Sequence, residues 1–134
     1  MSLGTAKQFI VIRCSRPVEE ADFFARLFDA PAMVVNERTR QVDTGRFVLR
    51  IEHAQDARET TRGVHFEVSV ANVNRFAEDV WNRGIKYASR PQNFPDGFRR
   101  VGFVSPGDIR VFGVGPLKMD STGAFPSFKD DREA

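Results

Sequence analysis

The side chains best suited to chemistry fall on three short stretches in which residue types alternate: Phe9–Cys14, Arg46–Glu52 and Val64–Val70. Successive side chains of an extended chain point to opposite faces. Phe9, Val11 and Arg13 therefore share one face of the first stretch, with Ile10, Ile12 and Cys14 on the other. By the same alternation Val48, Arg50 and Glu52 share a face, as do His65, Glu67 and Ser69. His65 is one of only two histidines. An imidazole there could hold a metal, accept a proton with Glu52 or Glu67 orienting it, or hydrogen-bond a ligand. Arg13 and Arg50, with Arg100 or Arg110 from later strands, would supply donors to an anionic or carbonyl group. No Ser-His-Asp or Cys-His pattern is present, and no glycine-rich loop of the phosphate-cradling kind. Cys14, directed away from the polar face, is expected to be an inert packed thiol.

These stretches need elements to hold them. Gln8–Cys14 is rich in β-formers and is followed by helix signals: Pro17 suits a first helical position, after Ser15 or Arg16, and Glu19, Glu20 and Asp22 lie near the positive end. Val18, Ala21, Ala25 and Phe28, with Phe24 and Leu27, make an apolar stripe, and Asp29 and Pro31 mark its exit. Strands are predicted over 32–37, 41–43 and 46–52. The pattern then restarts. Val64–Val70 alternates, Asn72 is an N-cap, and Val73, Phe76, Ala77, Val80 and Trp81 form a second stripe ended by Gly84, with Trp81 expected to pack the helix onto a sheet. Strands are predicted at 85–89, 98–104 and 109–114, with 91–97 as a loop. The repeat offset is about 56 residues by this reading of duplicated strand–helix order. The divisions are a flexible start at 1–7, a first module at 8–53, a linker at 54–62, a second module at 63–116 and an irregular tail at 117–134.

Bulk properties agree with one modest domain built from two half-size repeats. Apolar residues make up 41% of the chain and Phe occurs 13 times, enough for a core without staples. A lone cysteine permits no internal disulfide and fits a reducing, cytoplasmic setting. No apolar run reaches membrane-spanning length. With a net charge of +2 and scattered arginines, neither nucleic acid nor a membrane is an expected partner.

The βαβββ duplication, with Val64-His65-Phe66-Glu67-Val68 leading into Ala71-Asn72-Val73, resembles the vicinal oxygen chelate superfamily. That superfamily includes glyoxalase I, bleomycin- and fosfomycin-resistance proteins and extradiol dioxygenases. The segment from Gly97 to Ile109 is similar to the family's closing strands, and the resemblance covers roughly residues 8–116. It implies an α+β fold of two βαβββ modules, a curved mixed sheet around a central cup, and one helix per module on the outer face. Catalytic members hold a divalent metal by His or Gln on the first strand, Glu on the fourth, His on the fifth and Glu on the last. Carried over, His65 stands on the second-half histidine and Glu52 on the first-half carboxylate. Phe9 stands on the first-strand position, and Val111 or Arg110 on the last. A complete metal site, or any other cofactor, is therefore not expected; a rearranged one would use His65 and Glu52. The resemblance implies a small-molecule ligand contacted by Phe9, Arg13, Arg50, Glu52, His65, Glu67, Arg100 and Arg110, in a homodimer. The alternatives are a metal-dependent lyase, isomerase or dioxygenase with a rearranged ligand set, with His65 as the candidate catalytic residue, and a non-catalytic dimeric scaffold.

Overall fold

A computed structural model describes residues 7–119. The expected flexible start and irregular tail lie outside these, apart from residue 7 and residues 117–119. The order is β1 (Phe9–Cys14), α1 (Pro17–Phe28), β2 (Ala32–Asn36), β3 (Thr39–Asp43), β4 (Val48–His53), a 3₁₀ turn (Ala57–Glu59), β5 (His65–Ser69), α2 (Val73–Asn82), β6 (Ser89–Asn93), β7 (Phe98–Val104) and β8 (Arg110–Pro116). Two four-stranded sheets result, β1-β4-β3-β2 and β5-β8-β7-β6. In each, the first and last strands pair in parallel and the other neighbours are antiparallel. Parallel neighbours cannot be joined by a tight turn, so a helix and a hairpin carry the chain across. This is an α+β fold of duplicated βαβββ modules. The chain falls into two units, one through Gly63 together with Ser105–Asp108, the other Val64–Val104 and from Ile109 onward.

In the first unit Pro17 opens α1 and Asp29 closes it in the left-handed conformation at φ 51°, its N–H bonding the Ala25 carbonyl. Ala21, Phe23, Phe24 and Leu27 meet Ile12, Val42, Leu49 and Ile51 in the core. Val18, expected in the stripe, is 55% exposed, whereas Glu20 is fully buried. The reason is specific: the Ser105 hydroxyl and the Gly107 N–H each donate to the Glu20 carboxylate at 2.6 Å. Helical periodicity registers apolar positions and cannot see a carboxylate supplied with two donors. Burial raises the Glu20 pKa, against the opposing effect of these hydrogen bonds.

The second unit is closed by smaller residues. Asn72 caps α2 by accepting from the Arg75 N–H, and Val73, Ala77 and Val80 are buried. Gly113 and Gly115 on β8 let the helix side approach closely: a Cβ at Gly113 would stand 2.6 Å from the Phe76 ring. Trp81 departs from its expected role as a helix-to-sheet plug, being 44% exposed and set against Tyr87, with ring centroids 5.2 Å apart. The second strand of this module is Ser89–Asn93 rather than 85–89. Pro91, which argued for a loop, falls in a register break between Ser89 and Gln92 on the edge strand, where its missing N–H costs the sheet little.

Candidate ligand-binding faces

In each unit the strand face away from the helix carries the polar residues singled out by alternation. In the first, parallel pairing places Phe9 across from Val48, Val11 across from Arg50 and Arg13 across from Glu52. The Arg50 guanidinium lies 4.6 Å from the Phe9 ring centroid, a cation–π contact. Its Nε is shielded from solvent and lacks a hydrogen-bond partner among the described residues. Arg13 Nε reaches Glu52 Oε1 at 3.4 Å; with both side chains substantially exposed, this pair contributes little to stability.

In the second unit His65 stands across from Arg110, Glu67 from Phe112 and Ser69 from Val114. This resolves the last-strand alternative: Arg110 shares the face of His65, while Val111 is fully buried on the helix side. His65 meets the Phe112 ring edge-on at 5.9 Å. Its Nε2 is 3.9 Å from Glu67 Oε1, with both side chains more than half exposed. Arg100 makes a two-pronged pair with Asp96, at 3.0 and 2.6 Å, and lies over the rings of Phe94 and Phe98. Hydrogen bonding from Arg100 holds the Asp96 carboxyl below the usual range, and the same bonds raise the Arg100 pKa, with nearby Glu67 adding to it.

Arg100, Glu67, Ser69, Phe98, Val114 and Pro116 line an open concavity of about 620 Å³. Two of the expected ligand-contacting residues, Glu67 and Arg100, thus meet in one cavity; His65 is adjacent to Glu67, and Arg110 is across the ladder from His65. Phe9, Arg13, Arg50 and Glu52 lie on the corresponding strand face of the first unit. Alternation missed Phe98, Phe112 and Asp96, because their roles depend on how β7 and β8 align.

The donors present do not fit the metal centre that the resemblance implies. Phe9 offers no ligand and faces Val48, so Glu52 does not oppose it in the ladder but lies four residues further along, beside Arg13. Arg110 puts a cation where His65 would need a carboxylate. Glu52 and His65 are the pair left for a rearranged site, and among the described residues no group of three or more His, Cys, Asp or Glu side chains gathers. Cys14 is buried and its thiol is pushed up to about 11 by burial, with Glu20 adding to the effect, which leaves no reactive thiolate at neutral pH.

No protein-family model and no curated protein matches the chain. Solved structures do. A glyoxalase/bleomycin resistance protein/dioxygenase from Nocardioides aligns over 95% of this chain and 91% of its own, at 16% identity and TM-score 0.68. A glyoxalase/bleomycin resistance protein from Catenulispora acidiphila aligns over 83% and 98%, at 13% identity and TM-score 0.66. A lactoylglutathione lyase from Agrobacterium tumefaciens aligns over 85% and 96%, at 13% identity and TM-score 0.62.

Proposed function

We propose that this chain, which has the fold of the glyoxalase/bleomycin-resistance/dioxygenase proteins, binds a small amphipathic organic molecule without the metal centre used by the catalytic members of that group. The observation that carries the reading is the concavity floored by Glu67, Ser69 and Arg100 and walled by Phe98, Val114 and Pro116. Apolar walls with a few convergent polar groups suit a ligand with a planar or aromatic body. Glu67 would accept from a ligand donor, and Arg100 would face a carbonyl or anionic group. His65 extends the polar floor along β5, and Arg110 stands opposite it. Phe9 with Arg50, and Arg13 with Glu52, offer a corresponding surface in the first module.

A homodimer is part of the same proposal. Edge strand β2 presents Met33, Val34 and Val35 at 55%, 70% and 49% exposure, an apolar edge suited to a second copy. No described helix is long and apolar enough to cross a membrane.

The test begins with metal analysis of protein purified without chelator. Stoichiometric nickel, zinc, iron or manganese lost on His65→Ala would overturn the metal-free reading. A thermal-shift screen of aromatic and amphipathic compounds follows, with hits expected to lose their stabilisation in Glu67→Gln and Arg100→Gln. If no compound stabilises the protein, the ligand-binding reading fails and a scaffold takes its place. Light scattering at micromolar concentration checks the dimer, which Val34→Lys should weaken.

A further inference from the structure

A second cavity lies on the other side of the second sheet, where α2 meets edge strand β6. Its volume is about 390 Å³, and Asn74, Glu78, Trp81, Tyr87, Arg90 and Pro91 are on its wall. None of the residues of the concavity described above lines it. Asn74, Glu78 and Trp81 follow one another at helical spacing, so α2 presents a single stripe to the space. Opposite stands the irregular Arg90-Pro91 segment of β6, between the paired residues Ser89 and Gln92.

The floor is fixed in place. Arg99, 8% exposed, donates Nε to Asn74 Oδ1 at 2.9 Å, Nη1 to Asn93 Oδ1 at 3.1 Å and Nη2 to the Pro91 carbonyl at 3.1 Å. One guanidinium therefore ties the helix to the edge strand and holds the cavity open between them.

Two features of the wall are hard to explain as structure alone. Trp81 and Tyr87 place two aromatic rings at the surface, 44% and 38% exposed, where packing does not require them. Arg90 Nε and Nη2 are shielded from solvent and have no hydrogen-bond partner among the described residues. Those two nitrogens form the side-on fork of a guanidinium, whose spacing matches the two oxygens of a carboxylate. Buried donors are ordinarily satisfied, so an unpaired fork on a side chain that lines a cavity suits an acceptor brought by a ligand. A small turn about the terminal torsions of Arg90 would present the fork to the space its side chain already lines. Charge on the wall favours an anion: Arg90 and Arg99 stand against Glu78, and Lys86 lies 5.6 Å from the Trp81 ring centroid.

We propose that the cavity between α2 and β6 is a binding site for small aromatic carboxylates, with the ring against Trp81 and Tyr87 and the carboxylate on the Arg90 fork. The site is independent of the ligand face on the opposite side of the sheet.

Trp81 is the only tryptophan in the protein, so its fluorescence reports this cavity alone. Benzoate is the probe, and benzamide is its uncharged counterpart of nearly the same shape. Benzoate should change Trp81 emission saturably in the millimolar range or below, about tenfold more tightly than benzamide, because only the carboxylate engages both N–H groups. Arg90→Gln should weaken benzoate to the level of benzamide, and Arg90→Lys, which keeps charge without the fork, should recover only part of the loss. Arg100→Gln should leave the titration unchanged. No saturable change up to about 20 mM benzoate, or equal affinity for the two probes, overturns the proposal. The comparison of benzoate with benzamide on the unaltered chain decides the matter even if the Arg90 variants do not fold.

Discussion

The two modules share a plan and differ in nearly every surface that matters. Aligned at their first helical residues, Pro17 and Val73, Ala21 matches Ala77 and Phe24 matches Val80, all buried. Glu20, however, matches Phe76. The first module buries a carboxylate on two donors where the second sets a half-buried phenyl ring against a glycine strand. The sheets diverge in the same way: Phe9 and Val48 face each other in one ladder, His65 and Arg110 in the other. Both edge strands shift register, but one is apolar and open, whereas the other carries Arg90 and Pro91. Duplication preserves what backbone pairing and apolar burial require. It leaves free the side chains facing away from the core, and there the two halves have become different surfaces.

The sharpest way to break the comparison is at the paired core positions Phe24 and Val80. Phe24→Ala should cost about 3–5 kcal/mol and Val80→Ala about 2 kcal/mol, read by denaturant unfolding, because the first module takes its bulk from the helix. Equal losses would remove that distinction.

Gly113 and its ladder counterpart Ile51 test the opposite case. Gly113→Ala should cost about 1–3 kcal/mol by driving a methyl group into Phe76, whereas Ile51→Val should cost about 1 kcal/mol. A neutral Gly113→Ala would mean that α2 can move away freely.

Glu20 tests the buried carboxylate through pH. Its folded pKa is raised, so between the unfolded and folded values the native state holds a proton that the unfolded chain has released. The stabilisation from that proton is complete below the unfolded pKa, near 4.3 for a free Glu, and is lost as pH rises through the folded value. Glu20→Gln should flatten this part of the stability profile. Glu20→Ala, which removes the acceptor used by Ser105 and Gly107, should cost about 1–3 kcal/mol at low pH. An unchanged pH profile in Glu20→Gln would show that the carboxylate titrates as in the unfolded chain.

The smallest effect belongs to the Arg13–Glu52 pair, where either alanine substitution should change stability by less than about 0.5 kcal/mol. A larger loss would make the pair a structural strut rather than part of an open face.

Strand and helix order was legible because both modules keep local signals that agree with their final environment: the alternation of Val64–Val70, Pro17 at a helix start, the Asn72 cap. Alternation also assigned Phe9, Arg13, Arg50, Glu52, His65 and Glu67 to the faces they occupy, since side-chain direction in a strand is a property of the backbone alone. Strand β6 was not legible, because whether Pro91 breaks a strand depends on whether its N–H faces a neighbour, and that is decided by its edge position. Nor was the partner of His65. A shift of one residue in β8 exchanges Arg110 for Val111, and turn geometry sets that register.

The amino-acid sequence by itself determined two βαβββ modules, their apolar helix faces and the polar residues on the strand faces away from them. Periodicity, caps and propensity act within a few residues, so they survive without tertiary context. Tertiary structure alone decided that Arg110 opposes His65, that Arg100 is shared between Asp96 and the concavity of Glu67, that Glu20 is buried, and that Trp81, Tyr87 and Arg90 line one cavity. Each of these joins side chains through strand register or helix docking, and such contacts exist only once the separate elements have packed.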